Sequence, residues 1–337
     1  NILALEASGD ETAVAVVRDG REVLTDCIAS QVALHREYGG VVPEIASRKH
    51  IEAIYPLADQ ALKEAGLTRT DIDAVAVTYA PGLIGAVLVG VNFAKAAAMA
   101  LKKPLIPVHH IRGHIAANYL AYPELEPPFL CLVVSGGHTM IIEVKDYTDM
   151  RILGTTLDDA AGECFDKVGR VLGMPYPGGA ALDKAAQQGD ETKYPLPVAK
   201  SGENPYNMSF SGLKTATLNL IHHAQQVGEE LDIPSLCASF TAAVSETLVP
   251  RVVRALEETG CRRVAGAGGV AASSRIRHGI LEAARKLDAE VYMPPLKLCG
   301  DNGAMIGSQA YYEYLAGNVA DMSLNAYATK SILGETV

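Results

Sequence analysis

Apolar positions cluster in short runs at the start of the chain. Residues 2–8 and 13–18 are apolar and β-prone, and the turn Arg18-Asp19-Gly20 leads into a third run at 22–28. These runs predict three short strands in a meander. From Pro43 to about residue 66 the pattern is helical, with the proline placed to start the helix. Residues 73–79 read as a buried strand broken by Pro81 and Gly82. An apolar helix over 84–101, a strand over 106–108 and a helix over 110–122 follow. This order predicts an α/β layer architecture.

The pattern then restarts. Residues 3–19 align without gaps with 130–146, matching Leu3/Leu130, Leu5/Leu132, Ser8/Ser135, Gly9/Gly136, Thr12/Thr139, Val17/Val144 and Asp19/Asp146. A polar interruption falls at the same offset in both copies: Ser8-Gly9-Asp10-Glu11-Thr12 in the first, Ser135-Gly136-Gly137-His138-Thr139 in the second. The match predicts a duplicated lobe whose polar hairpin tips face each other across a cleft. Residues 147–235, rich in Gly, Asp and Pro, carry no clear period beyond a helix near 159–173 with Asp166 on its polar face. A long helix over 236–260, a strand over 264–267, a helix over 270–287 and a last helix over 301–317 complete the reading.

Length and composition fit two lobes. At 337 residues the chain exceeds what one core usually holds, and 49% hydrophobic residues suffice for a large one. The expected division is an N-terminal lobe over 1–128 and a C-terminal lobe over 129–337, with a helix near 303–325 able to pack back on the first. Aromatic residues are 6% and tryptophan is absent, which argues against stacking platforms for single strands. Cys27, Cys131, Cys164, Cys237, Cys261 and Cys299 form no CxxC pair, so reduced thiols and a cytoplasmic location are expected. The first residues enter a strand pattern with no charged leader. The 84–101 stretch approaches membrane-span length, but Asn92 and Lys95 in its middle favour a buried helix and no membrane. The net charge of −10 alone argues against nucleic-acid binding.

Five stretches carry candidate chemistry. Serine, threonine and glycine at the two tips suit a phosphate site, with Asp10 and Glu11 able to act through a metal ion; ordinary turns use the same residues. His110 and His114, at i and i+4, share one helix face, as metal ligands or as a structural pair. A zinc protease of the HExxH kind would need a glutamate where this chain has Ile111. The Gly-rich turn in residues 264–277 suits a nucleotide or a plain strand-turn-helix connection. Asp301 reads as a helix N-cap. The acidic run over 157–179 reads as a solvated helix.

In the order LEASGDETAVAVV, YGGVVPEIASRKH, APGLIGAVLVG, HHIRGH, VSGGHT, DDAAGECFDKVGR, YPGG, SFSGLKTA, AGGVAASSR and CGDNGAMIG, these stretches resemble the TsaD family from residue 2 to about 327. Its members are tRNA N6-adenosine threonylcarbamoyltransferases, formerly named O-sialoglycoprotein endopeptidases. The resemblance implies the actin/Hsp70/sugar-kinase-like fold, two duplicated α/β lobes around a nucleotide cleft. It implies transfer of threonylcarbamoyl from threonylcarbamoyl-AMP to N6 of the adenosine 3′ of the anticodon, in tRNAs reading ANN codons. By position, His110, His114 and Asp301 become ligands of one divalent metal, iron or zinc. Ser135, Gly136, Gly137, His138 and Thr139 become the loop holding phosphate and acyl group. Asp166, Gly179, Asp183 and Ser273 become nucleoside-binding positions, and Asp10, Glu11 and His138 candidates for the catalytic base. The family's usual cysteine and asparagine are replaced here by Gly9 and Ser273.

Implied partners are tRNA, a TsaB-like paralogue in a heterodimer through helices 43–66 and 84–101, and a TsaE-like ATPase. A homodimer is the alternative when the protein is alone. Arg48-Lys49-His50, Lys102-Lys103, Lys214, Arg262-Arg263, Arg275 and Arg277 are candidate tRNA contacts. Competing readings are a small-molecule kinase of the same fold, a metalloprotease, and a chaperone-like ATP-dependent module.

Overall fold

The computed structural model describes residues 1–200 and 202–333. In chain order the elements are β1 (Ile2–Glu6), β2 (Glu11–Arg18), β3 (Glu22–Ser30), α1 (Val32–Arg36), α2 (Pro43–Glu64), β4 (Ala74–Ala80), α3 (Ile84–Leu101), β5 (Leu105–His109) and α4 (His110–Ala121). Then come β6 (Phe129–Val134), β7 (Thr139–Val144), β8 (Met150–Thr155), α5 (Ala161–Val171), α6 (Gly178–Ala186), α7 (Ser211–Val227) and α8 (Ile233–Thr259). The last are β9 (Arg263–Ala267), α9 (Ser274–Lys286), β10 (Glu290–Tyr292) and α10 (Gly303–Leu315). The chain groups into two compact units. The first holds 1–127, 145–150 and the described residues from Gly300 onward; the second holds 128–144 and 151–299.

Each unit has one five-stranded sheet, in the orders β3-β2-β1-β4-β5 and β8-β7-β6-β9-β10. In both, an antiparallel hairpin meets two parallel strands. The registers coincide at the positions the internal repeat makes equivalent. Leu3 pairs with Val16 and Val75, and Leu130 with Glu143 and Val264. The central strands β1 and β6 are buried along their whole length. That is why they read as continuous apolar runs, as strands covered on both faces do.

The segment without a clear period contains β8, α6 and α7. The helix expected from residue 270 begins at Ser274, after a 3-10 turn over Gly269–Ala272. α10 lies so close to β2 that a Cβ on Gly303 would stand 2.7 Å from the Ala15 nitrogen. The chain beyond α10 runs along unit 1. Ala320 donates its amide to Leu105 at 2.8 Å, which covers part of the β5 edge of the sheet, and Tyr327 donates to Tyr79 of β4 at 2.9 Å.

Only a third of the apolar α3 is buried, against 78% for the equally apolar window of α8. Ala86, Val87, Val91, Ala94 and Ala98 supply its inner face. Its outer face and α2 line an apolar groove of about 200 Å³ containing Tyr55, Leu62, Phe93 and Ala97. The helix expected to be buried therefore keeps an outward apolar face.

Arg21 ties 145–150 into unit 1. Its guanidinium donates to the Tyr312 hydroxyl at 2.8 Å, the Tyr147 hydroxyl at 3.0 Å, and the carbonyls of Pro123 and Leu125, each at 3.0 Å. Tyr147 stacks on Tyr312 with centroids 3.8 Å apart. Arg21→Ala is expected to cost about 3 kcal/mol, because several acceptors lose one shared donor. Urea unfolding reads the loss; a cost under about 1 kcal/mol would contradict it.

Candidate functional site

β5 ends at His109, whose Nδ1 accepts the Ile111 amide at 3.3 Å and caps α4. α4 therefore starts at His110 and carries His114 one turn on, on the same face. Gly113 lets α10 approach: a Cβ there would stand 2.6 Å from the Ile306 Cδ1. The cap of α10 is Asn302, whose side chain accepts the Met305 amide at 2.8 Å, so the N-cap expected at Asp301 sits one residue later. Asp301 is thereby placed beside the two rings. Its Oδ1 lies 3.3 Å from His114 Nε2 and 3.6 Å from His110 Nε2.

These three side chains are the one group among the described residues whose ligand atoms all lie within 4.8 Å of one another in the manner of a metal site. The donor set fits a divalent ion. Ligands of a tetrahedral ion with bonds near 2.1 Å stand about 3.4 Å apart. Both nitrogens of His114 are buried without a hydrogen-bond partner, which an ion at Nε2 would partly relieve. Imidazole and carboxylate do not choose between iron and zinc.

Behind His110 lies Glu6, fully buried at the end of β1. Its carboxylate accepts from the Ser8 amide at 2.6 Å, the Thr78 hydroxyl at 2.5 Å and His110 Nδ1 at 3.0 Å. Burial opposes its charge, but the His110 ring outweighs that and holds the carboxyl below its usual range. Burial likewise opposes a charged His110, yet Glu6 and Asp301 push that ring up to about 9. Neither Glu6 nor Thr78 was singled out in the sequence. The available signal was a carboxylate and a hydroxyl inside strands otherwise wholly apolar.

The first tip is braced from within. Thr12 is buried, and its hydroxyl bonds His50 Nδ1 at 2.7 Å, while His50 Nε2 meets the Gly9 carbonyl at 3.0 Å. His50 is thus no surface tRNA contact, and the Thr12 hydroxyl faces inward. Ser8 Oγ stands 3.1 Å from His110 Nδ1. Burial pushes the Glu11 carboxyl up to about 7, against a hydrogen bond from Ser30 and with help from Asp10 and Asp301. A Cβ on Gly9 would stand 3.3 Å from Asp301 Oδ2, so residue 9 borders the metal group.

Asp26 on β3 accepts the Gly303 amide at 3.0 Å and so holds the start of α10. Burial raises its carboxyl from 3.8 to about 6, despite the amides of Gly303 and Ala304. Folding therefore favours its protonated form. That contribution is complete below about pH 4 and is lost as pH rises through about 6. Asp26→Asn keeps an acceptor and removes the titration. Relative to wild type it is expected to gain on the order of 2 kcal/mol between about pH 4 and about pH 7. Parallel stability curves in urea titrations at the two pH values would contradict this.

In the second unit the other tip is a tight turn. Ser135 donates its amide to the His138 carbonyl at 2.8 Å, and the His138 amide reaches Ser135 Oγ at 3.2 Å. Gly136 and Gly137 have open space where a Cβ would project. The N-terminus of α5 abuts them, since a Cβ on Gly162 would stand 2.4 Å from the Ser135 carbonyl oxygen. Thr139 is buried and its hydroxyl accepts the Ala161 amide at 2.9 Å, so it ties tip to helix. Exposed glycine amides beside a helix N-terminus can bind an anion.

Asp166 on α5 accepts the Gly178 amide at 2.8 Å, which sets Gly179 in the first turn of α6. Asp183 on α6 accepts from Ser273 Oγ at 2.7 Å, from the Ser274 amide at 3.0 Å and from Ser274 Oγ at 2.8 Å. The structure thus joins Asp183 to Ser273 directly. A groove of about 320 Å³ beside them is lined by Gln187, Thr241, Arg275 and His278.

Several basic candidates are neutralised locally. Lys214 pairs with Asp159, Arg275 with Glu191 at 2.8 Å, Arg48 with Glu44 and Lys49 with Glu52, each at 2.7 Å. Arg277 donates to the carbonyls of Ala271 and Pro294.

The chain as a whole is similar to known proteins. The family model for TsaD, the tRNA N6-adenosine threonylcarbamoyltransferases, matches residues 22–308. The enzyme of that name from Moorella thermoacetica is 55% identical over 326 residues, covering 97% of this chain and 95% of its own. That from Clostridium novyi is 52% identical over 96% of each. Among solved structures, full-length HypF in its phosphate- and nucleotide-bound form superposes with a TM-score of 0.61 at 15% identity, covering 93% of this chain and 46% of its own. The ROK hexokinase from Thermus thermophilus does so at 0.50 and 16% identity, over 94% and 99%. At such identities these likenesses show the fold alone: the actin/Hsp70/sugar-kinase-like architecture of paired five-stranded sheets.

Proposed function

Because this chain belongs to the tRNA N6-adenosine threonylcarbamoyltransferase family, we propose that it forms t6A, moving threonylcarbamoyl from threonylcarbamoyl-AMP to N6 of the adenosine 3′ of the anticodon. The acceptors are tRNAs reading ANN codons. Identity of 55% to a transferase, with the His110, His114 and Asp301 group in place, carries this reading.

His110, His114 and Asp301 would hold the divalent ion, iron or zinc. Bound there, it supplies Lewis-acid polarisation of a substrate oxygen. The amides of Gly136 and Gly137 with the α5 N-terminus bind the phosphate and developing oxyanion charge. Ser135 and Thr139 shape that turn. Asp166, Gly179, Asp183 and Ser273 bind the nucleoside, Ser273 through the hydroxyl it shares with Asp183. N6 attacks the carbamoyl carbon, the carbon–oxygen bond to phosphate breaks, AMP leaves with that electron pair, and the N6 proton passes to a base. Glu11, with its carboxyl near 7, matches that task. Asp10 and His138 are the other candidates.

Partners follow the same reading. The groove on α2 and α3, with Ile51, Tyr55 and Met99 exposed, suits a TsaB-like paralogue, or a second copy when the protein is alone. A TsaE-like ATPase and the tRNA complete the cytoplasmic assembly. At a net charge of −10, with several of the basic candidates paired locally, partners supply part of the tRNA contact.

The test is incubation of the protein and these partners with threonylcarbamoyl-AMP and unmodified ANN-decoding tRNA, followed by mass spectrometry of nucleosides. t6A that depends on both substrates supports the reading. Its absence, with sugar phosphorylation by ATP instead, overturns it in favour of a kinase.

A further inference from the structure

We propose that Glu6 is a positioning residue for the metal centre: its buried carboxylate accepts a hydrogen bond from the Nδ1–H of His110 and so fixes the ring with the Nε2 lone pair toward Asp301 and His114. This rests on the reading of those three residues as ligands. Glu6 is fully buried. Its bonded partners among the described residues are the Ser8 amide, the Thr78 hydroxyl and His110 Nδ1, with no lysine or arginine. A carboxylate is kept in such a place only where donors surround it.

The three donors are not equivalent. The Ser8 amide can only donate, so the atom facing it at 2.6 Å must be an acceptor oxygen. The other oxygen faces both Thr78 and Nδ1. While it is a carboxylate oxygen it can only accept, so Nδ1 must carry hydrogen. In neutral imidazole that leaves Nε2 bare on the side of Asp301 Oδ1, 3.6 Å away. A histidine bound to metal through one nitrogen commonly donates the other to a carboxylate in this way.

Glu6→Gln keeps the shape and reverses this logic. Its amide oxygen must face Ser8, which turns the amide NH₂ toward Nδ1. Nδ1 then accepts, and the ring proton moves to Nε2, where it blocks the ligand position. The Thr78 and Ser8 hydroxyls rotate to suit either state, so they do not set the tautomer.

Metal-stripped full-length protein is titrated with Zn²⁺ against a chromophoric chelator, and with Co²⁺ while its visible spectrum is followed. Glu6→Gln is expected to bind Zn²⁺ roughly 10- to 100-fold more weakly and to alter the Co²⁺ spectrum. Ser8→Ala is expected to lose less than Glu6→Gln; a larger loss would give the role to Ser8 and overturn the proposal. His110→Ala separates the two levels of inference. If it binds Zn²⁺ like wild type, the ligand assignment fails. If it loses Zn²⁺ while folded Glu6→Gln stays within twofold of wild type, the Glu6 proposal alone fails. Should Glu6→Gln not fold by circular dichroism, ¹⁵N-histidine spectra of the Zn²⁺-loaded wild type decide. A protonated Nδ1 and a metal-bound Nε2 on His110 support the proposal, and the reverse overturns it.

Discussion

His114→Ala is expected to reduce bound metal to background and t6A formation by at least about a hundredfold. The ring is 2% exposed and neither nitrogen has a hydrogen-bond partner among the described residues, although Nε2 stands 3.3 Å from Asp301 Oδ1. A purely structural histidine would be bonded, because an unsatisfied buried polar group costs about 1–3 kcal/mol. Removing the ring therefore relieves that cost and offsets part of the cavity it leaves. The metal-free variant is expected to melt close to wild type, while the rise in Tm on adding metal disappears. Metal content, a thermal melt with and without metal, and nucleoside analysis check the three parts. Full metal content in the variant would move the site elsewhere.

Gly162→Ala is expected to leave metal binding intact and to cut transfer by about 10- to 100-fold, the scale of a displacement near 1 Å in a binding loop. Its Cβ would stand 2.4 Å from the Ser135 carbonyl oxygen and 2.7 Å from the Gly136 Cα. Both are backbone atoms, so the tip or the start of α5 must move. The amides of Gly136 and Gly137 then lose their alignment with the helix N-terminus. Steady-state kinetics over a range of threonylcarbamoyl-AMP read the change. Wild-type kcat/KM would show that this tip does not hold the donor.

The hairpins were readable because burial on both faces makes β6 apolar throughout and β1 apolar up to Glu6, and because the repeat keeps one register in both sheets. The i, i+4 spacing of His110 and His114 showed a shared face, but spacing left a structural pair open. Asp301 joined them only through family resemblance, since its place depends on α10 packing on β2, a contact between distant parts of the chain. The same distance hid α7. Asp158 caps that helix from upstream, accepting the Phe210 amide at 2.8 Å and the Ser211 hydroxyl at 2.7 Å. No local pattern announces such a cap. His50 was misread for a related reason. Beside Arg48 and Lys49 it reads as part of a basic cluster, yet its helix face turns it inward to Thr12 and Gly9. α3 was half legible, because composition gave its apolarity without saying which face the core would leave uncovered.

The measurement that tests the central claim most directly is t6A formation by chelator-treated protein, before and after one equivalent of Zn²⁺ or Fe²⁺ is returned. Threonylcarbamoyl-AMP, unmodified tRNA and partner proteins are held constant. Transfer is predicted to be lost on stripping, restored by one equivalent in wild type, and not restored in His114→Ala. Full transfer by protein shown to be metal-free would contradict the account.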